Sequence, residues 1–190
     1  MLNIFDQEPE STATPATILV HVGSFSFPVH HHVDELLKLL QSNTTVHWVS
    51  RATWSAIDLL VAILAAHQEP AKIYLSSYAF SEKPARIFAN LIDQGKITWL
   101  RCIIDSRVDV RSQPALQLLR GCADQLVMAD THAKVTIIHI GDRFYTIVGS
   151  ANYTTNKRHE AGIITTCPET AAFHKKWIKD VIELNNTGNA

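Results

Sequence analysis

From Thr17 to Gly121 short runs rich in β-branched and aromatic residues alternate with segments of helical periodicity, and this alternation limits the possible folds more than any other feature of the sequence. TILVHV, TVHWVS, KIYLSSYAF and ITWLRCIID read as strands. Between them, HHVDELLKLLQSN puts Val33, Leu36, Leu37 and Leu40 on one helical face, and TWSAIDLLVAILAAHQ makes a helix with Thr53 or Ser55 available as its cap. SEKPARIFANLIDQG and SQPALQLLRG follow as helices, closed by Gly95 and Gly121. Strands joined by helices of this length pair in parallel through right-handed crossovers, with helices on both sides. The expected class is therefore α/β: a mixed, mostly parallel sheet flanked by helices on both faces.

After Gly121 the rhythm changes. DQLVMAD, HAKVTIIHI, RFYTIVGS and AGIITTC succeed one another without an intervening helix, and PETAAFHKKWIKDVIELNN closes the chain as a helix. Pro168 suits its first turn, Phe173, Trp177 and Val181 recur every four residues, and Asn185-Asn186 can end it. Residues 1–15 are rich in Glu, Ser, Thr and Pro without periodicity and are expected to be a flexible lead-in to one domain over 16–190. A chain of 190 residues, 46% of them hydrophobic, can build the single core such a domain needs.

Gly141-Asp142 lies between two strand-like runs and signals a two-residue hairpin. If Ile140 pairs with Arg143, Lys134 falls opposite Gly149 and His132 opposite Ala151, so Ser150 and Asn152 arrive at the same end. Side chains alternate across a strand, which displays His132 and Lys134 on one face and turns Ala133, Val135 and Ile137 to the other, apolar one. Gly149 is expected to leave open space for a ligand. An ammonium, an amide, a hydroxyl and an imidazole around that space suit an anion.

These residues carry a family likeness. His132-x-Lys134 followed by Gly149-Ser150-x-Asn152 resembles the HKD motif of the phospholipase D superfamily, in its single-motif, endonuclease-like branch. The likeness extends from about Lys72 to Trp177 and includes a glutamate after the motif, Glu160. It departs at one point: the superfamily usually has aspartate five residues after the motif lysine, where this chain has His139. By alternation His139 faces away from His132, so the change should act on packing behind the strand.

The resemblance implies a metal-independent phosphodiesterase, without a cofactor, working through a phosphohistidine. One imidazole attacks phosphorus while a second, protonated, gives its proton to the leaving oxygen. A single motif supplies one histidine, so the resemblance implies a homodimer with two His132 side chains facing each other across a two-fold axis. In each half site Lys134 and Asn152, helped by Ser150, would hold the nonbridging oxygens, and Glu160 would fix the tautomer of His132.

Lys157 and Arg158 either line the entrance and touch flanking phosphates or belong to a solvated loop. Tyr78, at the end of a strand, is a candidate for the mouth of the site, whereas Arg101, Asp105 and Arg107 near the next strand end fit structural ion pairs. Consecutive His30, His31 and His32 point in different directions and make a loop before a helix rather than a metal site.

The function within this class is set by what surrounds the motif. With 17 basic and 18 acidic residues the formal charge is −1, so no global field draws in a polyanion and any attraction must be local. Nucleic acid, DNA before RNA, is the expected substrate, and a protein such as a DNA translocase could supply recognition. No apolar run reaches the roughly 18 residues of a membrane span, the start lacks a signal-peptide layout, and neither membrane nor lipid is an expected partner. Cys102, Cys122 and Cys167 show no C-x-x-C pairing and read as ordinary thiols, consistent with a cytoplasmic address. The rival expectations are a noncatalytic nucleic-acid-binding or assembly module on the same fold and a phospholipid-directed phosphodiesterase.

Overall fold

The computed structural model describes residues 20–21, 31–50, 54–154 and 158–187, so the expected lead-in over 1–15 lies outside the described residues, as do Thr53, His30 and Lys157. The alternating half of the sequence folds as β1 (Val20–His21), α1 (His31–Leu39), β2 (Thr45–Val49), α2 (Ala56–Ala65), β3 (Ala71–Ser77), α3 (Glu82–Asp93) and β4 (Ile97–Asp105). A short helix unforeseen in the sequence, α4 (Val108–Arg111), precedes α5 (Gln113–Cys122) and β5 (Gln125–Ala129). The remainder is β6 (Val135–Ile140), β7 (Arg143–Gly149), β8 (Ala161–Thr165) and α6 (Pro168–Thr187).

Among the described residues the strands form one eight-stranded sheet in the order β1-β2-β8-β7-β6-β3-β4-β5. It is mixed, as expected, and β6 and β8 alone run against the other strands. Neighbour by neighbour, however, antiparallel contacts outnumber parallel ones, because the β6–β7 hairpin and β8 insert between β2 and β3. The crossover logic holds only for β1–β2 and for β3–β4–β5.

Helices cover both faces unequally. One face packs Val33 and Leu36 of α1, Leu59, Leu60 and Ile63 of α2, Phe88 of α3 and Leu119 of α5 against Ile73, Leu100, Ile138 and Ile140. Among the described residues the other carries α6 alone, with Ala171, Ile178 and Ile182 on Tyr74, Ile103, Val127, Val135 and Ile137. The four-residue recurrence of Phe173, Trp177 and Val181 is thus not the buried face. Phe173 is 68% exposed, and Trp177 and Val181 only flank the core.

The caps follow sequence chemistry in part. Ser55 begins α2, where the Asp58 carboxylate accepts from its backbone N–H (2.8 Å) and its hydroxyl (2.7 Å). Gly95, at φ +69°, closes α3 in the left-handed conformation. Gly121 does not close α5, which runs on to Cys122 with Ala123 as its cap. Likewise α6 passes through Asn185-Asn186 to Thr187.

Candidate active site

The hairpin has the anticipated register. Ile140 pairs with Arg143 around Gly141, whose φ is +52°, and counting back brings Val135 to Val148. One step further the Gly149 N–H donates to the Lys134 carbonyl at 3.3 Å. The carboxyl ends of β2, β3, β4, β5 and β7 and the starts of β6 and β8 consequently meet at one end of the sheet, the end at which α/β sheets place ligands.

His132 stands there on the irregular segment entering β6 and is exposed. The residue before it is firmly held. The Thr131 N–H donates to Asp105 Oδ2 (3.2 Å), and the Thr131 hydroxyl bonds that of buried Ser76 (3.1 Å) and accepts from the Ala133 N–H (3.2 Å). Ser76 in turn donates to the Ala133 carbonyl at 3.3 Å. These bonds tie the histidine to the ends of β3 and β4.

Lys134 Nζ donates to the His132 carbonyl at 2.8 Å and lies 3.3 Å from His132 Nδ1. An ammonium has no lone pair, so Nδ1 must accept, and a neutral ring in this pose carries its proton on Nε2. Burial lowers the Lys134 pKa from the ordinary lysine value, a shift that the charges of Glu160 and Tyr78 oppose. The Tyr78 ring lies 4.6 Å from the His132 ring and 5.3 Å from Lys134 Nζ.

Ser150 and Asn152 come to the same end but bond to the protein. The Ser150 hydroxyl donates to Glu160 and accepts from the Ala161 N–H at 3.0 Å. The Glu160 backbone is pinned to the end of β2, with its N–H donating to Ser50 Oγ (3.1 Å) and its carbonyl accepting from the Ser50 N–H (2.7 Å). Asn152 Oδ1 accepts from the Ala79 N–H at 3.1 Å, next to Tyr78.

Tyr153, not singled out in the sequence, is the peg of this segment. It is 2% exposed, its hydroxyl bonds Thr136 at 2.8 Å, and its ring stacks on Phe80 at 5.0 Å. Its signal was a lone aromatic beside polar residues, which only the fold turns inward.

Gly149 corrects an expectation. A Cβ there would lie 2.6 Å from the Ala161 carbonyl oxygen and 3.2 Å from Trp48 Cζ2, so the space beside it is filled by β8 and the Trp48 indole. The glycine serves the close approach of two strands. Arg158 is exposed, and Lys157 lies outside the described residues.

His139 does sit behind the strand, stacked on Phe144 with centroids 4.3 Å apart. Burial and the nearby Lys175 lower its pKa from the ordinary histidine value. Asp105 and Arg107 form the expected ion pair, at 2.6 Å. Arg101 instead stacks on Trp99 at 4.7 Å. No helix among the described residues is long and apolar enough to cross a membrane.

No family model and no curated protein matches the sequence. Solved structures do match. NucT from Helicobacter pylori superposes with a TM-score of 0.56 at 19% identity, over 73% of this chain and 95% of that one. Nuc from Salmonella typhimurium, a phospholipase D family member, gives 0.51 at 17% identity over 72% of this chain and 93% of its own. Polyphosphate kinase from Porphyromonas gingivalis gives 0.57 at 12% identity, over 74% of this chain but 26% of that much longer one.

Proposed function

This chain has the phospholipase D fold, and from that premise we propose that it is a metal-independent phosphodiesterase, an endonuclease of nucleic acids that acts as a homodimer through a phosphohistidine. The observation that carries the proposal is the gathering of His132, Lys134 and Tyr78 at the sheet end where Ser150, Asn152 and Glu160 also lie. The fold shared with Nuc and NucT supports a phosphodiesterase class.

In the proposed reaction the scissile phosphate draws Lys134 onto its nonbridging oxygens. That movement frees His132 Nδ1 to carry the ring proton, which leaves the Nε2 lone pair for phosphorus. Glu160 is the proposed acceptor for Nδ1–H, its position fixed by Ser150 and Ser50. As the P–N bond forms, the P–O bond to the leaving group breaks, and the partner's imidazolium protonates the departing oxygen. The same partner imidazole, now neutral, takes a proton from the water that cleaves the P–N bond.

The position of His139 weighs against a noncatalytic module. Its ring packs on Phe144 on the face covered by α6, which supports a role for this position in packing behind the strand. Net charge near neutrality supports a helper protein, such as a DNA translocase, for recognition.

The test is cleavage of DNA, RNA and bis(p-nitrophenyl) phosphate in the presence of EDTA by wild type and His132→Ala. Activity should persist with EDTA and fall by about 10³-fold or more in the variant. Cleavage that survives His132→Ala, or none by wild type on any substrate, refutes the proposal.

A further inference from the structure

The phenol of Tyr78 is a meeting point for cations. Besides Lys134, Arg107 places its guanidinium carbon 4.5 Å from the ring centroid, and Arg111 Nη1 lies 3.4 Å from the hydroxyl. An aromatic face attracts an exposed cation only weakly. Collecting three like charges around one ring therefore leaves a site that favours an anion, in a molecule whose overall charge does not.

The two arginines differ in what they can give. Arg107 is fixed: Asp105, which has no exposed surface, accepts from its Nε at 2.6 Å and Nη2 at 3.0 Å. Asp130, held by the Ser106 hydroxyl at 2.7 Å, also acts on Arg107. Its charge is largely offset, but its remaining N–H groups are held in place and outward, since the side chain stays 54% exposed. Arg111, at the end of α4, is exposed and forms no salt bridge among the described residues, so it supplies the uncompensated charge.

We propose that Arg107 and Arg111, gathered on Tyr78, form a second phosphate subsite that takes the phosphate adjoining the scissile one in a nucleic-acid strand. The proposal rests on the phosphodiesterase reading, which puts the scissile phosphate at Lys134. Because Lys134 and Arg107 stand near the same ring, their charges are at most about 10 Å apart, close enough for each to meet one of two neighbouring phosphates of a strand. A phosphodiester with a single phosphate has nothing to offer Arg111. The bonds from Thr131 to Asp105 and Ser76 connect the two subsites rigidly, so a strand seated on Arg107 presents its next link to His132.

The test uses thymidine oligomers five residues long in which each link in turn is a neutral methylphosphonate, with affinity and EDTA-resistant cleavage measured for wild type and Arg111→Gln. This variant is chosen because Arg107→Gln would also strip buried Asp105 of its partner. For wild type, neutralising one link beside the cleaved one should weaken affinity about tenfold. In Arg111→Gln the same oligomer should lose less than about twofold. Equal losses in both proteins overturn the subsite, whether or not the oligomers are cut. The expected pattern of affinities without cleavage upholds the subsite and refutes the nuclease. Binding to phosphatidylglycerol vesicles that falls as much in Arg111→Gln as oligomer binding does would overturn the assignment to a strand.

Discussion

Asp105 shows how one buried charge organises the site. Its carboxylate takes two bonds from the Arg107 guanidinium and one each from the Arg107 and Thr131 backbone N–H groups. The Arg107 side chain first, and then these backbone bonds, lower its pKa to about 2 from the model-peptide value of 3.8, against the upward push of burial. A carboxyl with a depressed folded-state pKa adds stability above its unfolded value and loses it as pH falls through the folded one. For Asp105 that window runs from about pH 4 down to about pH 2. Asp105→Asn should therefore lower stability at neutral pH and flatten the acid limb across that window, as read from urea midpoints at a series of pH values. Parallel acid limbs in the two proteins would refute this. The spacing of His132 and Lys134 was legible in the sequence because strand alternation is local. The bond from Thr131 to Asp105 and the roles of Ser76 and Ser50 were not, since each depends on which strand ends become neighbours.

At the scale of elements, the Gly149–Gly162 pair decides how β7 and β8 approach. A Cβ on Gly149 would press within 2.6 Å of the Ala161 carbonyl oxygen, and one on Gly162 within 2.7 Å of Trp48 Cζ2. Trp48 is itself 6% exposed and packs on Trp54 at 4.8 Å, so the indole has little room to withdraw. Gly149→Ala should cost about 1–3 kcal/mol in urea unfolding, the usual penalty for overfilling a packed core. It should also weaken catalysis, because the same contact positions Ser150 and, through Ala161, Glu160. An unchanged unfolding midpoint would show that the strands can part without strain. Turn chemistry made the β6–β7 register readable from Gly141-Asp142 alone. Strand order was not readable: β2 beside β8 joins residues more than a hundred positions apart, and no local pattern encodes that choice. The α6 stripe was misplaced for a related reason. Phe173 and Trp177 share a helical face, but Ala171, Ile178 and Ile182 fit the shallow surface of the sheet.

For the whole molecule, the open question is how many chains make one site. A lone chain offers a single imidazole in the cluster of His132, Lys134 and Tyr78, and that imidazole is exposed. The proposed chemistry needs a nucleophile and an acid at once, so neither chain of a dimer can act alone. This makes activity a function of composition. When wild type and His132→Ala are mixed, allowed to exchange subunits and assayed at constant total protein, activity should follow the square of the wild-type fraction. An equal mixture should then retain about one quarter of full activity rather than about one half. The curve is informative even if subunits exchange slowly, because it must bend downward from linear with time as hybrids form. Linear dependence after exchange has been verified by mass would mean that one His132 suffices. The leaving oxygen would then take its proton from within the chain, and the two-fold axis would lose its place in the mechanism.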